Sequence, residues 1–364
     1  MRRELAPCAP YVGERVGHFR VRAKIGGGAA SEVYLAEHEA IHTRAAIKIL
    51  HPHLSTKPDH VRRFFNEAIA ASEIPHAGVV KIFDAGSLPC GRAFLVMEYL
   101  DGETLTRRIR RAGRLPLVEL AQIARQIASA LGATHAAGIT HRDLKPDNVF
   151  LVRDAELACG MRAKLLDFGI AKLAGVHVTG TSVGAMGTPD YMAPEQWEDV
   201  RNVDWRADAY ALGCVVFEMA TGRVPFPASN IAASYAKHRN EEPPDVRTVA
   251  PELPAELDRA VSRLMAKDPG RRPDSMSEVA ATFAALADEP GVAPIAVPAM
   301  QRDRATVATA TRALLPDAPP PLAGSDQRAA ANRIPPLALL VSLGSIALAL
   351  LGILITLVVA VAER

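Results

Sequence analysis

The sequence predicts an α+β protein with two unequal lobes, and two observations carry this prediction. Residues 18–50 alternate apolar and polar side chains with the period of β-strands, interrupted by a run of glycines. After Gly102, apolar residues recur every three or four positions, which is the spacing of amphipathic helices. We therefore expect a strand-rich N-terminal lobe, a helical C-terminal lobe, and chemistry on the loops between them.

The individual elements follow from the same periodicities. Period-two alternation predicts three strands over 19–25, 33–35 and 45–49, and strand patterns return at 79–83 and 93–97. Helical spacing predicts one helix over 59–74 in the first lobe. In the second lobe it predicts helices over 117–131, 207–221, 231–237, 255–266 and 277–286, and Gly222 marks the end of the second of these.

Composition excludes several classes of protein. The 364 residues are 49% hydrophobic, which supports a buried core, and the net charge of +2 is spread without a long block of one sign. We therefore expect no nucleic-acid partner. The four cysteines fall at irregular spacings, which argues against a disulfide framework and a zinc site and favours a reducing environment. His51 and His53 have no third ligand nearby, so we expect solvated histidines and no transition metal.

The C-terminal part differs from the rest in composition. Residues 289–334 are rich in Pro, Ala, Thr and Arg and predict a disordered linker that spans roughly 40 Å. Residues 337–362 carry no charge, and this length exceeds the roughly 20 residues that cross a bilayer. A buried core helix is the alternative, but it would need a polar face. We expect a tail of residues 1–14, a folded domain over 15–288, the linker, a transmembrane helix over 335–362 and a tail of 363–364.

Charges beside this apolar segment predict its orientation. Arg328 and Arg333 precede the segment, whereas Glu363 and Arg364 follow it. The positive-inside rule then places the folded domain in the cytoplasm, anchored to the cell membrane by a single helix in the lipid bilayer. With two residues after the helix, we expect no external sensor domain.

The most informative stretch is the run His141-Arg142-Asp143-Leu144-Lys145-Pro146-Asp147-Asn148. It resembles the catalytic loop of eukaryotic-type protein kinases, and the wider pattern is similar to bacterial membrane-anchored serine/threonine kinases. The resemblance implies a bilobal protein kinase fold. It also implies that Asp143 is the catalytic base, that Lys145 contacts the transferred phosphate, and that Asn148 binds Mg²⁺ together with Asp167 of Asp167-Phe168-Gly169.

An ATP site is implied by further motifs of the same family. Residues 26–33 read Gly-Gly-Gly-Ala-Ala-Ser-Glu-Val, like a glycine-rich flap over phosphates with Ser31 at the third glycine. A Rossmann loop is the alternative, but such a loop opens a helix and here a strand pattern continues. Lys48 ends an Ala-Ala-Ile-Lys strand, and Glu67 is its expected ion-pair partner, with Glu73 as the other candidate. The implied ATP-binding residues are Ile25, Gly26, Gly27, Gly28, Val33, Ala46, Lys48, Glu67, and the hinge residues Met97, Glu98 and Leu100.

The acceptor and the control of the reaction are also implied by the resemblance. Lys145 and Thr188 match serine/threonine kinases, so the expected substrates are serine and threonine side chains of proteins. Glu195 is expected to pair with Arg272, and Asp208 to brace the catalytic loop. Arg142 before the catalytic Asp suggests activation by a phosphate on Thr179, Thr181 or Ser182, through pairing of two copies in autophosphorylation.

Two other functions fit parts of the sequence. One is a pseudokinase that serves as a membrane scaffold; a complete set of catalytic motifs argues against it. The other is a kinase-fold enzyme that phosphorylates a small molecule, and the Ala193-Pro194-Glu195 triplet of a protein-substrate platform argues against that. Detection of phosphate on protein or on a metabolite distinguishes them.

Overall fold

A computed structural model describes residues 11–157, 159–167, 189–198 and 203–288. The predicted linker and transmembrane helix lie outside the described residues, as do Phe168, Gly169 and the three candidate phosphorylation sites. Within the described ranges, no helix is both long enough and apolar enough to cross a membrane.

The N-terminal lobe is an antiparallel sheet with the strand order β1-β2-β3-β4-β6-β5. Its strands are β1 (Arg15–Val16), β2 (Phe19–Gly27), β3 (Ser31–His38), β4 (Arg44–Leu50), β5 (Ile82–Ser87) and β6 (Ala93–Glu98). Two helices follow β4, namely α1 (Pro52–Ser55) and α2 (Pro58–Ser72). The first three predicted strands and the predicted helix are thus confirmed.

Both faces of this sheet are covered by apolar residues. One face buries Ile47, Ile49 and Val96 together with Tyr11, although Tyr11 falls in the predicted N-terminal tail. The other face packs Leu50 and Leu95 against Phe64 and Ala68 of α2. The sheet therefore holds α2 next to the strand that carries Lys48.

The C-terminal lobe is built around two buried helices, α4 (Leu117–Ala136) and α6 (Arg206–Thr221). Gly222 ends α6 with φ +77°, a left-handed cap that glycine adopts without strain. The remaining helices are α3 (Leu105–Ala112), α5 (Pro194–Glu198), α7 (Ile231–Asn240), α8 (Val246–Val249), α9 (Ala255–Leu264) and α10 (Met276–Ala287). The five predicted helices of this lobe are confirmed.

A second sheet, with order β7-β8-β9, lies between the helices and the first lobe. It comprises β7 (Gly102–Thr104), β8 (Val149–Arg153) and β9 (Met161–Leu165). Strands β8 and β9 form an antiparallel hairpin that places the catalytic loop before β8 and Asp167 just after β9. The hairpin thus fixes the spacing between two parts of the predicted site.

Two sequence predictions are corrected here. The strand predicted over 79–83 begins at Ile82, because Val79 forms a parallel bridge to Leu165 and the Val80 N–H donates to the Leu165 carbonyl. This stretch therefore joins the two lobes. The cysteine spacing argued against a disulfide framework and favoured a reducing environment, but Cys90 is disulfide-bonded. Cys159 and Cys214 are free thiols, and Cys8 lies outside the described residues.

Candidate active site

The register of the first sheet brings the predicted nucleotide-binding side chains together. Val33 lies opposite Lys48, and Ala46 lies opposite Met97. Directly opposed residues project from the same face, and Ala46 and Lys48 share that face because they are two positions apart. Four residues of the predicted ATP site therefore line one face of the sheet.

A β-bulge lies at Ile25, at the edge of the same region. The pairing of β2 with β3 shifts between Lys24 and Gly26, and the Ile25 side chain is 47% exposed. Bulges re-aim a side chain out of the regular alternation. An exposed isoleucine beside the glycine-rich loop is suited to contact the apolar face of a purine ring.

The glycine-rich loop connects β2 to β3. Gly26 and Gly27 pair with Val33 and Glu32, and the Gly28 N–H donates to the Ser31 carbonyl at 2.9 Å, so that Ala29 and Ala30 form the tip. A Cβ at Gly28 would meet no other atom within 4 Å, so the fold itself does not require glycine at this position. Close approach of a ligand to the main chain gives a reason for glycine here.

Lys48 is the buried cation of the site. Its Nζ lies 2.6 Å from Asp167 Oδ1, and the side chain is 12% exposed. Burial lowers the pKa of Lys48, but the carboxylates of Asp167, Glu67 and Asp143 offset it, and the net pKa lies above its ordinary value. Lys48 is therefore an ammonium at neutral pH. Glu67 acts on it electrostatically, and a direct Lys48–Glu67 ion pair stays a prediction.

The hinge follows β6, where Met97, Glu98 and Leu100 are partly buried. The Glu98 carboxylate accepts hydrogen bonds from the Lys81 N–H at 2.8 Å and from Lys164 Nζ at 2.6 Å. Lys164 belongs to β9 and is 7% exposed. The Glu98 side chain thus ties the hinge to the second sheet, which the sequence motif did not reveal.

Asp208 of α6 supports the catalytic loop, and this residue is 1% exposed. Its carboxylate accepts from the N–H groups of His141 and Arg142, each at 2.8 Å, and lies 2.8 Å from His135 Nε2. Arg142 has φ +62°, a conformation that non-glycine residues seldom adopt. The bonds to Asp208 hold this turn in place, as predicted for a bracing residue.

His141 is fully buried behind the loop and joins it to β9. Its Nδ1 accepts from the Asp143 N–H at 3.4 Å, so Nε2 carries the proton that is donated to the Leu166 carbonyl at 3.0 Å. Burial lowers the pKa of His141 despite the nearby carboxylates of Asp208 and Asp143. A neutral imidazole therefore sets the distance between the loop and the segment that leads to Asp167.

Asp143, Lys145 and Asn148 converge within hydrogen-bond distance. Lys145 Nζ lies 3.2 Å from Asp143 Oδ2, and Asn148 Nδ2 donates to the same oxygen at 3.1 Å and to the Asp143 carbonyl at 2.8 Å. The Asp143 side chain is 18% exposed. A partly buried carboxylate with a fixed orientation and an adjacent cation is the arrangement that a base and its phosphate-binding partner require.

The residues fit Mg²⁺ together with a nucleotide. Asn148 uses its NH₂ group on Asp143, so its Oδ1 is the atom that would bind Mg²⁺, and the Asp167 carboxylate is 50% exposed. In the described part of the chain, no cluster of three His, Cys, Asp or Glu side chains could hold a metal alone. Mg²⁺ is usually bound by one or two protein oxygen atoms, and phosphate oxygens and water complete its coordination.

Residues 189–196 lie next to the catalytic loop. Glu195 makes a bidentate ion pair with Arg272, at 2.5 and 2.9 Å, and Arg272 also donates to the carbonyls of Ala266, Arg206 and Lys267. The predicted pair is thus present. Thr188 lies outside the described residues.

Gln196 makes a contact with the catalytic loop that the sequence did not predict. Its Nε2 donates to the Arg142 carbonyl at 3.1 Å, and its Oε1 accepts from the Ala193 N–H at 3.0 Å. One side chain therefore couples the Ala193-Pro194-Glu195 triplet to the catalytic loop. The position of Gln196 directly after the Ala-Pro-Glu triplet was the sequence feature that could have indicated this contact.

Comparison with known proteins gives the class. A model of the protein kinase domain family matches residues 19–283, so the chain belongs to this family. Serine/threonine-protein kinase Pkn1 of Myxococcus xanthus is 44% identical over 264 residues, which are 72% of this chain and 37% of that protein. PrkC of Bacillus subtilis, also a serine/threonine-protein kinase, is 34% identical over 74% of this chain and 41% of its own length.

Solved structures agree with this assignment. The crystal structure of the Mycobacterium tuberculosis PknI kinase domain matches with a TM-score of 0.60 and 28% identity, covering 76% of this chain and all of that domain. The chain spans well under half the length of the two bacterial kinases above, with 37% and 41% of them matched. The predicted bilobal kinase fold is confirmed.

Proposed function

We propose that this chain is an ATP-dependent serine/threonine protein kinase. The observation that carries the proposal is the convergence of Asp143, Lys145 and Asn148 beside the Lys48–Asp167 pair. The relatives described above are serine/threonine-protein kinases, which supports the same acceptor class.

The residues divide the reaction between them. Asp143 orients the acceptor hydroxyl and takes its proton as the oxygen attacks the γ-phosphorus, while the bond from this phosphorus to the β–γ bridging oxygen breaks and ADP leaves. Lys145 balances the negative charge of the transferred group. Lys48 holds the phosphates of the nucleotide. ATP supplies the phosphoryl group, and Mg²⁺ on Asn148 and Asp167 would neutralise charge on its oxygens. Positioning and electrostatics supply most of the rate acceleration in such a reaction.

Incubation of the chain with γ-labelled ATP, Mg²⁺ and a mixture of proteins tests this function. We expect label on phosphoserine and phosphothreonine of protein after acid hydrolysis. Label on a small metabolite would support the alternative of a small-molecule kinase, and nucleotide binding without any transfer would support a pseudokinase.

Activation by phosphorylation is a second part of the proposal. Arg142 Nη1 is buried and has no hydrogen-bond partner among the described residues, whereas its Nη2 donates to the Val203 carbonyl at 3.2 Å. A half-satisfied guanidinium beside the catalytic base is suited to bind a phosphate on Thr179, Thr181 or Ser182. Autophosphorylation between two copies would supply that phosphate.

Peptide mapping by mass spectrometry tests this activation. We expect phosphate on the 179–182 peptide of the active chain, and addition of wild-type protein to the Asp143→Asn variant should phosphorylate the variant. A fully active chain without phosphate on that peptide contradicts the proposal.

Membrane attachment through residues 335–362 is a third part. The uncharged composition of 337–362 supports it, and the expected location is the cell membrane with the kinase domain in the cytoplasm. Arginine at the centre of a transmembrane helix costs about 3 kcal/mol per residue. The double variant Leu348→Arg, Leu351→Arg should therefore leave the membrane fraction, whereas Leu348→Ile, Leu351→Ile should stay. Equal membrane recovery of both variants contradicts this attachment.

A further inference from the structure

His51 lies beside the glycine-rich loop and makes two hydrogen bonds to it. Its main-chain N–H donates to the Ala30 carbonyl at 2.8 Å, and its ring Nε2 donates to the Gly28 carbonyl at 2.8 Å. We propose that His51 is a positioning residue that fixes this loop and aims its amide groups at the phosphates of the nucleotide. The proposal rests on the ATP binding proposed above and adds a residue that the family motifs do not include.

The planarity of the peptide bond gives the direction of the amides. In a trans peptide, the C=O of one residue and the N–H of the next point in opposite directions. The Gly28 and Ala30 carbonyls both point to His51. The N–H groups of Ala29 and Ser31 therefore point away from His51, to the same side of the loop.

His51 also changes how the loop is closed. The Gly28 N–H donates to the Ser31 carbonyl at 2.9 Å, which is one of the two bonds of a two-residue hairpin. The return bond from the Ser31 N–H to the Gly28 carbonyl is absent from the described hydrogen bonds, and the Gly28 carbonyl is bonded to His51 instead. The loop thus keeps a main-chain donor that an ordinary hairpin would use internally.

The position of His51 is itself rigid. Its carbonyl accepts from the N–H groups of Leu54 and Ser55 at 3.0 Å each, and His51 is thus the N-cap residue of α1. Pro52 follows and restricts the main chain of His51 to extended conformations. The His51 ring stacks on His53 with 5.8 Å between centroids and 17° between planes. Three constraints therefore hold the donor atom in one place.

Phosphate is the ligand chemistry that such a loop would bind. Successive amides on one side of a turn form a concave site for anions. Residues 26–31 carry no charged side chain, so contacts from the loop to phosphate oxygens depend on these amides. The part of the nucleotide that responds to His51 should therefore be its phosphate chain, and the nucleoside should be bound independently.

Binding measurements on the whole chain separate these two parts. We expect His51→Phe, which keeps the ring stack and removes the Nε2 donor, to weaken Mg²⁺–ADP and Mg²⁺–ATP binding roughly three- to tenfold, the effect of one lost hydrogen bond. Adenosine affinity should change less than twofold. The KM for ATP should rise by the same ratio as the dissociation constant, with little change in kcat.

Two matched variants complete the test. His51→Gln restores an N–H donor at a similar distance and should recover most of the ADP affinity, and His53→Phe, which has no bond to the loop, should bind ADP like the wild type. Unchanged ADP affinity in His51→Phe, or an equal loss for adenosine and ADP, would overturn the positioning role. Absence of ADP binding by the wild type would overturn this role and the proposed function together.

Discussion

Asp208 shows at the level of one residue how the fold prepares the catalytic loop. Its carboxylate faces three N–H donors, two of them from the main chain of the loop, in a position that is 1% exposed. These hydrogen bonds offset the conformational free energy that the positive φ of Arg142 costs. We therefore expect the carboxylate to contribute to both stability and catalysis.

Replacement of Asp208 by asparagine tests this role. An amide NH₂ would then face an N–H donor, so we expect a loss of about 1–3 kcal/mol in the free energy of unfolding and a lower kcat. Urea unfolding and initial rates measure the two effects. Asp204→Asn is the control, because Asp204 is exposed and pairs with Arg206 at the start of the same helix. Equal stability of the two variants contradicts the bracing role.

His238 gives the molecule a pH-dependent stability. It is buried beside Tyr210, whose hydroxyl lies 2.9 Å from Nδ1, and Lys267 donates to its carbonyl at 2.8 Å. Burial, with the charge of Lys267, lowers the pKa of His238 to about 4. Because the unfolded chain binds this proton near pH 6.5 and the native state does not, stability falls as pH drops from 6.5 towards 4.

The loss assigned to His238 is about 3 kcal/mol, because its pKa lies near 6.5 in the unfolded chain and at about 4 in the native state. His238→Asn keeps an acceptor for Tyr210 and removes the titration. Urea unfolding at pH 7 and pH 5 should give a smaller pH difference for the variant than for the wild type. Other buried groups such as His141 titrate in both proteins, so the comparison isolates His238. Identical pH differences contradict the assignment.

At the scale of elements, helix ends depend on what surrounds the capping glycine. Gly222 after α6 and Gly138 after α4 both have positive φ, +77° and +75°. A Cβ at Gly222 would lie 2.1 Å from the Gly113 carbonyl oxygen, whereas a Cβ at Gly138 would meet nothing within 4 Å. The two positions share the conformational requirement and differ in space.

Alanine at these positions should therefore have different effects. We expect Gly138→Ala to cost about 1–2 kcal/mol for the left-handed conformation alone. Gly222→Ala should cost clearly more, because the main chain at Gly113 has to move. Thermal unfolding of both variants measures the difference, and equal melting temperatures would show that the contact with Gly113 is not limiting.

Most of the elements could be predicted from the sequence, and the exceptions have physical reasons. Periodicity located β4, α2 and the long helices, because each buries several apolar side chains. It also located β2 and β3 by their alternating pattern, although Val21 is the one side chain of β2 that is fully buried. It misplaced the start of β5, since Val79 pairs with Leu165, more than 80 positions away, and no local pattern encodes such a bridge.

The site was predictable where a motif fixes a short loop. Asp143, Lys145 and Asn148 converge because they lie within six positions, and the Glu195–Arg272 pair forms as expected. The roles of Gln196 and of the Glu98 side chain were not predictable, because both depend on how separate elements meet. His51 was expected to be solvated and instead bonds to the glycine-rich loop.

At the scale of the whole molecule, the two lobes meet at a few defined contacts. Glu98 with Lys164, Val80 with Leu165, and Lys48 with Asp167 each join one lobe to the other. The third of these contacts lies within the candidate site. Nucleotide binding and catalysis therefore rest on residues from both lobes, and a change to the base need not disturb the nucleotide.

The role of Asp143 as the catalytic base is tested most directly by comparing phosphoryl transfer with nucleotide binding in Asp143→Asn. Asp147→Asn is the matched control, because Asp147 is an exposed aspartate of the same loop. We predict that Asp143→Asn loses transfer to protein about 10²- to 10⁴-fold, the usual contribution of a catalytic base, while its affinity for Mg²⁺–ATP stays within about twofold of the wild type. Autophosphorylation by Asp143→Asn at the wild-type rate would contradict the assignment of Asp143 as the catalytic base.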